Sequence, residues 1–326
     1  MKKTNDILYL SRDDVISTQV SMAEIIRALE AVFVEKGNGR VEMPPKPGIH
    51  PLPDAFIHAM PAYVPSMRVA GLKWVSGFPQ NMAKQLPYIS GLLILNDVMT
   101  GLPLSIMDCT WITGMRTGAA TAVAAKYLAR PNSLTVAILG CGIQGRCNLE
   151  ALKVAFPGLT RVQAYDLNPS ASEYLCKEAH QKWRLDACSC QSAKEACTSA
   201  DIIVTAGPIL KNPSPVIEQS WLKKGVFLSL VDFDSYLKPE VFSAANLFYT
   251  DDIEQQQYYR KAGYFSKIPQ PHGDLGDLLV RKKRGRETTD DITIAMNLGI
   301  ALEDMATAIL VYESALKLKI GTRLPA

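Results

Sequence analysis

The spacing of Gly140-Cys141-Gly142-Ile143-Gln144-Gly145 limits the fold of this chain more than any other feature, because it stands between an apolar run over residues 134–139 and a helical pattern over residues 143–155. In a strand–turn–helix setting each glycine has a separate task. The first permits a tight turn, the second lets a pyrophosphate approach the backbone, and the third lets helix and strand pack closely while the helix N-terminus faces the phosphates. Asp166 ends the next apolar run, about 20 residues beyond the third glycine, where a carboxylate can hold ribose hydroxyls. Such a carboxylate repels a 2′-phosphate, and Leu167-Asn168-Pro169 supply no arginine to accept one. The pattern therefore predicts NAD rather than NADP. The competing role for Asp166 is to cap the turn around Ser170, and Cys141 reads as a small side chain that fits the loop.

Around this motif the chain alternates strand and helix. Apolar runs follow at residues 162–165, 202–205, 226–231 and 247–249, separated by helical or turn segments, which predicts parallel strands joined by crossover helices. The fold class is α/β: a Rossmann-type doubly wound parallel sheet over residues 131–296, plus a discontinuous α+β domain over residues 1–130 completed by residues 297–326. Length agrees, since 326 residues suggest about two domains at roughly 100–200 residues each. In the outer domain, Ser21 caps a helix bearing Met22, Ile25, Ile26, Leu29 and Phe33 at helical spacing, with Gly37 and Gly39 as stops. Residues 43–103 read as short strands broken by Pro and Gly. The alanine-rich stretch over residues 118–128 reads as a buried helix ended by Pro131. After Asp291 a long helical pattern places Ile300, Met305, Ile309, Tyr312 and Leu316 on one face.

Charge and cysteine content exclude several functions. The net charge of +3 comes from 35 basic and 32 acidic residues that are interspersed, so neither nucleic acid nor an anionic membrane is indicated. The single basic cluster, Arg281-Lys282-Lys283-Arg284 with Arg286, reads as a solvated turn. Met1-Lys2-Lys3 resembles an export n-region, but the apolar Ile7-Leu8-Tyr9-Leu10 is too short to follow it. No stretch approaches the roughly 20 apolar residues of a membrane helix. The chain is expected in the cytoplasm with its seven cysteines reduced; Cys188 and Cys190 are too close for an unstrained mutual bridge. No metal site is expected, because His50, His58, His180 and His272 are scattered and no C-x-x-C pair occurs.

The order of Met43-Pro44-Pro45-Lys46, Ala59-Met60-Pro61-Ala62, Gly71-Leu72-Lys73-Trp74, Met115-Arg116-Thr117-Gly118-Ala119-Ala120, the glycine loop, Gly285-Arg286-Glu287 and Asp291-Ile292-Thr293-Ile294 resembles the ornithine cyclodeaminase/mu-crystallin family over nearly the whole chain. That family spans ornithine cyclodeaminase, alanine dehydrogenase, ketimine and pyrroline-carboxylate reductases, siderophore-precursor dehydrogenases and a hormone-binding crystallin. The resemblance implies a homodimer built through the non-nucleotide domain. It also implies that Lys46, Lys73 and Arg116 surround a substrate carboxylate near the nicotinamide, and that Thr117, Thr205 and Asn297 contact the dinucleotide. A guanidinium can grip a carboxylate bidentately while lysines act as point charges. Arg116, taken to open the alanine-rich helix, would add the helix dipole. Lys73, crowded by other cations, is either a proton-exchanging group with lowered pKa or only an anchor.

Two departures from the family pattern bear on the reaction. His58 stands where some relatives carry arginine, which exchanges a permanent charge for a group that titrates near neutrality, unless it is simply a structural histidine. Cyclodeaminases have a glycine-glycine-aspartate before proline, glycine and lysine, whereas this chain reads Val231-Asp232-Phe233-Asp234-Ser235-Tyr236. Counting along the strand puts Asp234 at the catalytic aspartate, with Asp232 as the alternate, and either could merely cap the turn. The implied function is an NAD(H)-dependent oxidoreductase acting at the C–N bond of a small amino or imino acid. The rivals are ornithine cyclodeaminase, which would release ammonia and proline without net NADH, and a ligand-binding protein of low turnover.

Overall fold

The structure, a computed structural model, describes residues 6–325; the Met1-Lys2-Lys3 start lies outside them. The chain begins with β1 (Ile7–Leu10), α1 (Arg12–Ser17), α2 (Met22–Gly37), β2 (Gly48–Ile49), β3 (Phe56–Val64), β4 (Val69–Gly77), β5 (Ile89–Asn96), β6 (Pro103–Asp108) and α3 (Thr110–Leu128). It continues through β7 (Thr135–Leu139), α4 (Ile143–Ala155), β8 (Arg161–Tyr165), α5 (Pro169–Trp183), β9 (Asp186–Ser189), α6 (Ala193–Thr198), β10 (Ile202–Thr205), β11 (Phe227–Leu230) and α7 (Pro239–Ala244). The remainder is β12 (Leu247–Thr250), α8 (Ile253–Lys261), β13 (Gly273–Asp274), α9 (Leu275–Leu279), β14 (Thr293–Met296), α10 (Ala301–Leu318) and β15 (Thr322–Leu324).

Two compact units result, one holding the chain up to Arg116 and again from Ile300, the other holding Thr117–Gly299. In the first, a seven-stranded sheet runs β15-β1-β6-β5-β4-β3-β2. It is antiparallel apart from the β1/β6 pair, and α10 lies on the central strands beside α2. Met60, Lys73 and Leu93 are paired across β3, β4 and β5 and share the buried face. Ser21 caps α2 as expected, its hydroxyl accepting from Glu24 N while the Glu24 carboxylate reaches back to Ser21 N.

In the second unit an eight-stranded sheet runs β13-β12-β14-β11-β10-β7-β8-β9, and every pairing in it is parallel. Strands β10, β11, β12 and β14 are buried along their whole length, as a parallel sheet covered on both faces requires. The direction of winding reverses between β7 and β10, and in sheets of this kind ligands bind outside the strand ends at that reversal.

Three local expectations change. The alanine-rich helix starts at Thr110, not near residue 116, because Asp108 accepts from Thr110 N (2.9 Å) and starts the helix upstream, with Ile112 and Met115 buried. The units divide inside α3 instead of at its end, since the helix beyond Arg116 packs into the second unit: Thr121 bonds Ser229 (2.7 Å), and a Cβ on Gly118 would lie 2.4 Å from Cys147 O on α4. The segment after Asp291 opens as a strand, β14, inserted between β11 and β12, and the helix starts only after Gly299 turns the chain at φ +75°.

The basic run over residues 281–286 is a solvated turn only in part. Arg286 is partly buried and donates to Leu128 O (2.7 Å), Asp291 O (2.6 Å) and Thr293 Oγ1 (3.0 Å), pinning the end of α3 to the approach of β14. All seven cysteines are free thiols. Among the described residues no helix is long and apolar enough to cross a membrane.

The close passage at Gly118 leaves no room for a side chain, because the obstructing atom is backbone. Gly118→Val is expected to destabilise the protein by about 1–3 kcal/mol, the usual cost of overpacking. Denaturant midpoints of the two proteins measure it, and equal midpoints would show that α3 and α4 can separate without loss.

Candidate active site

The loop between β7 and α4 turns tightly at its first glycine, leaves open space at its second and packs closely at its third. Gly140 sits at φ +91°, and a Cβ there would lie 2.5 Å from Ala206 O. Gly145 meets Gly140 O at 2.1 Å and Ile138 Cγ2 at 2.9 Å by the same construction, so loop, helix and strand are in direct contact. Gly142 has nothing within 4 Å of its Cβ direction and precedes α4 without any side-chain cap. The N–H groups of the first helical turn, at Ile143, Gln144 and Gly145, therefore face an open cradle, the arrangement a diphosphate needs. Gln144 Oε1 is buried there without a hydrogen-bond partner among the described residues. These observations fit a bound dinucleotide.

Asp166, at the end of β8, accepts from Cys141 N (2.7 Å) through one oxygen and from Asn168 N (2.8 Å) through the other. The carboxylate thus braces the glycine loop and turns the chain toward α5, whose cap is Asn168, accepting from Ser170 N (3.2 Å). It remains partly exposed at the strand end, where a ribose hydroxyl could reach it.

The ends of β10, β11 and β14 carry a polar layer. Thr205 Oγ1 donates to Asp232 Oδ1 (2.6 Å) and Gly207 N to Asp232 Oδ2 (2.8 Å), so both oxygens of Asp232 are engaged inside the protein. Burial pushes the Asp232 carboxyl up to about 7 against the lowering effect of those bonds. Asp232 ties β10 to β11 and does not project as a ligand. Asp234 is only partly buried; burial raises its carboxyl and Arg260 opposes the rise. Between the two, Phe233 adopts a left-handed φ of +65° and buries its ring against Tyr259, Tyr264 and Phe265. Asn297 Nδ2 donates to Thr121 Oγ1 (3.4 Å) and Ser229 Oγ (3.3 Å), and its Oδ1 has no partner among the described residues. Thr117 is buried on α3 next to Arg116.

The cationic residues form a second cluster, wholly within the first unit. Lys73 has no exposed surface, and its Nζ donates to Asp304 Oδ1 (2.7 Å) and Thr113 Oγ1 (3.4 Å). Arg116 donates from Nε to the same Asp304 oxygen (3.1 Å) and from Nη1 to Glu303 Oε2 (2.7 Å). Both carboxylates are fully buried in the first turn of α10, where the helix dipole also favours them. Arg116 therefore lies about two turns into α3, and its partners are these carboxylates, not the helix N-terminus proposed from sequence. Burial lowers the proton affinity of Lys73; Asp304 opposes this and Arg116 reinforces it. Lys46 and His58 are buried in the same unit, with His58 stacked on Phe56 at 4.3 Å. Burial, then the charges of Lys46, His50 and Lys73, push the imidazole down to about 3. His58 is accordingly a neutral group throughout the physiological range, and the expectation of titration near neutrality is corrected.

Glu303 and Asp304 escape the sequence reading, which treats this helix as an apolar face. The available signal is two adjacent acids inside Ile300-Ala301-Leu302-Glu303-Asp304-Met305-Ala306, where buried acids need cationic partners.

A dinucleotide cradle in one unit and a buried, charge-paired cation cluster in the other define a two-unit protein of the pyridine-nucleotide-binding class. The chain belongs to the ornithine cyclodeaminase/mu-crystallin family, whose model matches residues 7–319. It is 34% identical over 318 residues to the nodulation efficiency protein NfeD of Rhizobium meliloti, covering 97% of this chain and 98% of that one. The solved Δ1-pyrroline-2-carboxylate reductase of Thermococcus litoralis, in complex with NADH and L-proline, is 32% identical with a TM-score of 0.88, covering 98% of this chain and all of that one. An archaeal alanine dehydrogenase dimer with bound NAD is 34% identical with a TM-score of 0.86, covering 98% and 99%.

The raised carboxyl of Asp232 has a consequence for stability. A carboxyl with a folded-state value above its unfolded one stabilises the fold fully below the unfolded value, here 3.8, and loses that contribution as pH rises through about 7. Asp232→Asn keeps the shape and can still pair with Thr205 and Gly207, so it is expected to flatten the dependence of Tm on pH across that window. A slope unchanged from the parent protein would mean that Asp232 is ionised throughout.

Proposed function

We propose that this chain is an NAD(H)-dependent oxidoreductase acting at the C–N bond of a small amino or imino acid that carries one carboxylate. The observation that bears most weight is Lys73, a fully buried lysine of lowered proton affinity held by Asp304. A structural salt bridge gains little from such burial, whereas a lysine that exchanges a proton with a substrate nitrogen requires it. Glu303 and Asp304 offset the charges of Lys73 and Arg116, and Lys46 adds a further positive charge. That balance suits a monoanion better than a substrate with two carboxylates.

Arg116 and Lys46 orient the substrate carboxylate, and neutral His58 lines the site without adding charge. Lys73 gives or takes the proton on nitrogen while Asp304 stabilises its charged form. Asp234 is assigned to hold a second amino group or a water, because it is partly exposed whereas Asp232 is fully buried on Thr205 and Gly207. In the second unit, Gly140, Gly142 and Gly145 with the amides of Ile143 and Gln144 would hold the diphosphate, Asp166 the adenosine ribose, and Thr117, Thr205 and Asn297 the nicotinamide end. Bound NAD(H) supplies or accepts the hydride at the substrate α-carbon; the protein contributes position and charge. Pyrroline-carboxylate reduction and alanine oxidation, the reactions of the similar solved proteins, are the first to assay.

Lys73→Met is expected to lower kcat/KM by about 100-fold or more, the scale of a lost acid–base group, with NADH affinity unchanged. Absorbance at the nicotinamide band with cyclic imino acids, or with 2-oxo acids plus ammonia, measures it. Wild-type turnover in the variant would remove Lys73 from the mechanism. Ornithine converted to proline and ammonia with no net change in NADH would make the chain a cyclodeaminase, and no turnover with any of these compounds would leave only ligand binding.

The functional unit is proposed to be a cytoplasmic homodimer. Seven free thiols suit a reducing compartment. On the sheet face opposite Lys73, Trp74 and its cross-strand partner Leu92 are 47% and 45% exposed, with Tyr63 at 36% on the same sheet. An open apolar sheet face of this kind marks an association surface. Leu92→Arg is expected to convert a dimer to monomers in light scattering, and a variant of unchanged mass would move the interface elsewhere.

A further inference from the structure

Cys188-Ser189-Cys190 ends the edge strand β9 of the parallel sheet. Side chains two apart on an extended strand share a face, and the extended pairing continues past β9 through Cys190 N to Ala164 O (2.8 Å). Both thiols are thereby set on one side. Glu195 lies in the first turn of α6, where its N–H donates to Ser192 Oγ (3.1 Å) and its Oε2 accepts from Gln191 N (2.8 Å), which fixes the carboxylate. The two sulfurs and a Glu195 oxygen all lie within 4.8 Å of one another. Tetrahedral zinc, with Zn–S bonds of about 2.3 Å, holds two thiolates about 3.8 Å apart, so closing this set requires a movement of only ~1 Å. Cys188 is exposed, which leaves it free to make that movement, while Cys190 at 6% exposure and the tethered Glu195 form the fixed side.

We propose that Cys188, Cys190 and Glu195 form a binding site for a thiophilic divalent cation, zinc being the first candidate, with water as the fourth ligand. Two thiolates select a soft or borderline ion over magnesium or calcium. Burial, with Cys188 and Glu195 adding like charge, pushes the Cys190 thiol up to about 12. A bound cation reverses that balance, because it holds thiolates deprotonated and releases their protons. In the sheet, β9 is separated from β7 and its glycine loop by β8, so the ion does not join the hydride chemistry. Its effect is to clamp the edge strand to α6. The absence of a metal site expected from sequence rested on histidine spacing and the lack of C-x-x-C, and that criterion does not see a C-x-C pair completed by a glutamate from the next helix.

The full-length protein, reduced and freed of metal, is titrated with Co2+. The expected result is one ion per chain with a thiolate-to-cobalt charge-transfer band in the near ultraviolet, abolished on adding Zn2+. Cys188→Ser, at an exposed position that the fold tolerates, is expected to lose most of the band, and Glu195→Gln to keep it while binding at least about tenfold more weakly. Absence of the band in the wild-type protein overturns the site. So does a Cys188→Ser protein with an undiminished band, or a Glu195→Gln protein with undiminished affinity.

Discussion

Four charged side chains, Lys73, Arg116, Glu303 and Asp304, are buried together, and the first unit is organised around their neutralisation. Taking an ion out of water costs several kcal/mol even after the surroundings relax, so none of the four could lie here without the others. Asp304 meets that demand twice, accepting from both cations through one oxygen. The carboxylates come from α10, nearly 200 residues beyond Arg116 in the chain, a helix that Leu302, Met305 and Val311 also bury. The return of the last helix to the first unit thus supplies the carboxylates that its buried cations need.

The second unit depends on close backbone approach. Gly140, Gly145 and Gly118 each stand where a Cβ would collide with a carbonyl oxygen, and together they draw strand, helix and loop into contact. Gly142 is different, because the space beside it is open and the uncapped start of α4 faces it. Asp166 then fixes the loop from the neighbouring strand, so the anion cradle is preorganised by hydrogen bonds within the unit. Such preorganisation lowers the ordering cost when a dinucleotide binds.

Burial assigns protonation states that residue type alone does not suggest. His58 is held neutral by burial and by the cations around it, while burial pushes Asp232 toward its neutral form. The two shifts have opposite effects on the fold's response to pH. His58 favours the folded state above its ordinary value of 6.5 and loses that contribution as pH falls toward about 3, whereas Asp232 loses its own as pH rises.

The strand–turn–helix setting of the glycine loop and the strand-end position of Asp166 were legible from local spacing, and motif order singled out Lys46, Lys73 and Arg116, which the fold buries in one unit. The strand β14 was not legible, since a four-residue segment followed by a helical pattern read as helix until β11 and β12 close around it. The start of α3 was hidden for a similar reason: Thr110, Thr113 and Gly114 are poor helix formers, and burial of Ile112 and Met115 overrides that preference. Glu303 and Asp304, the neutral state of His58 and the engagement of Asp232 were decided by tertiary structure. Each depends on which groups the fold brings within hydrogen-bond reach and on how much water it removes, and a linear pattern carries neither quantity.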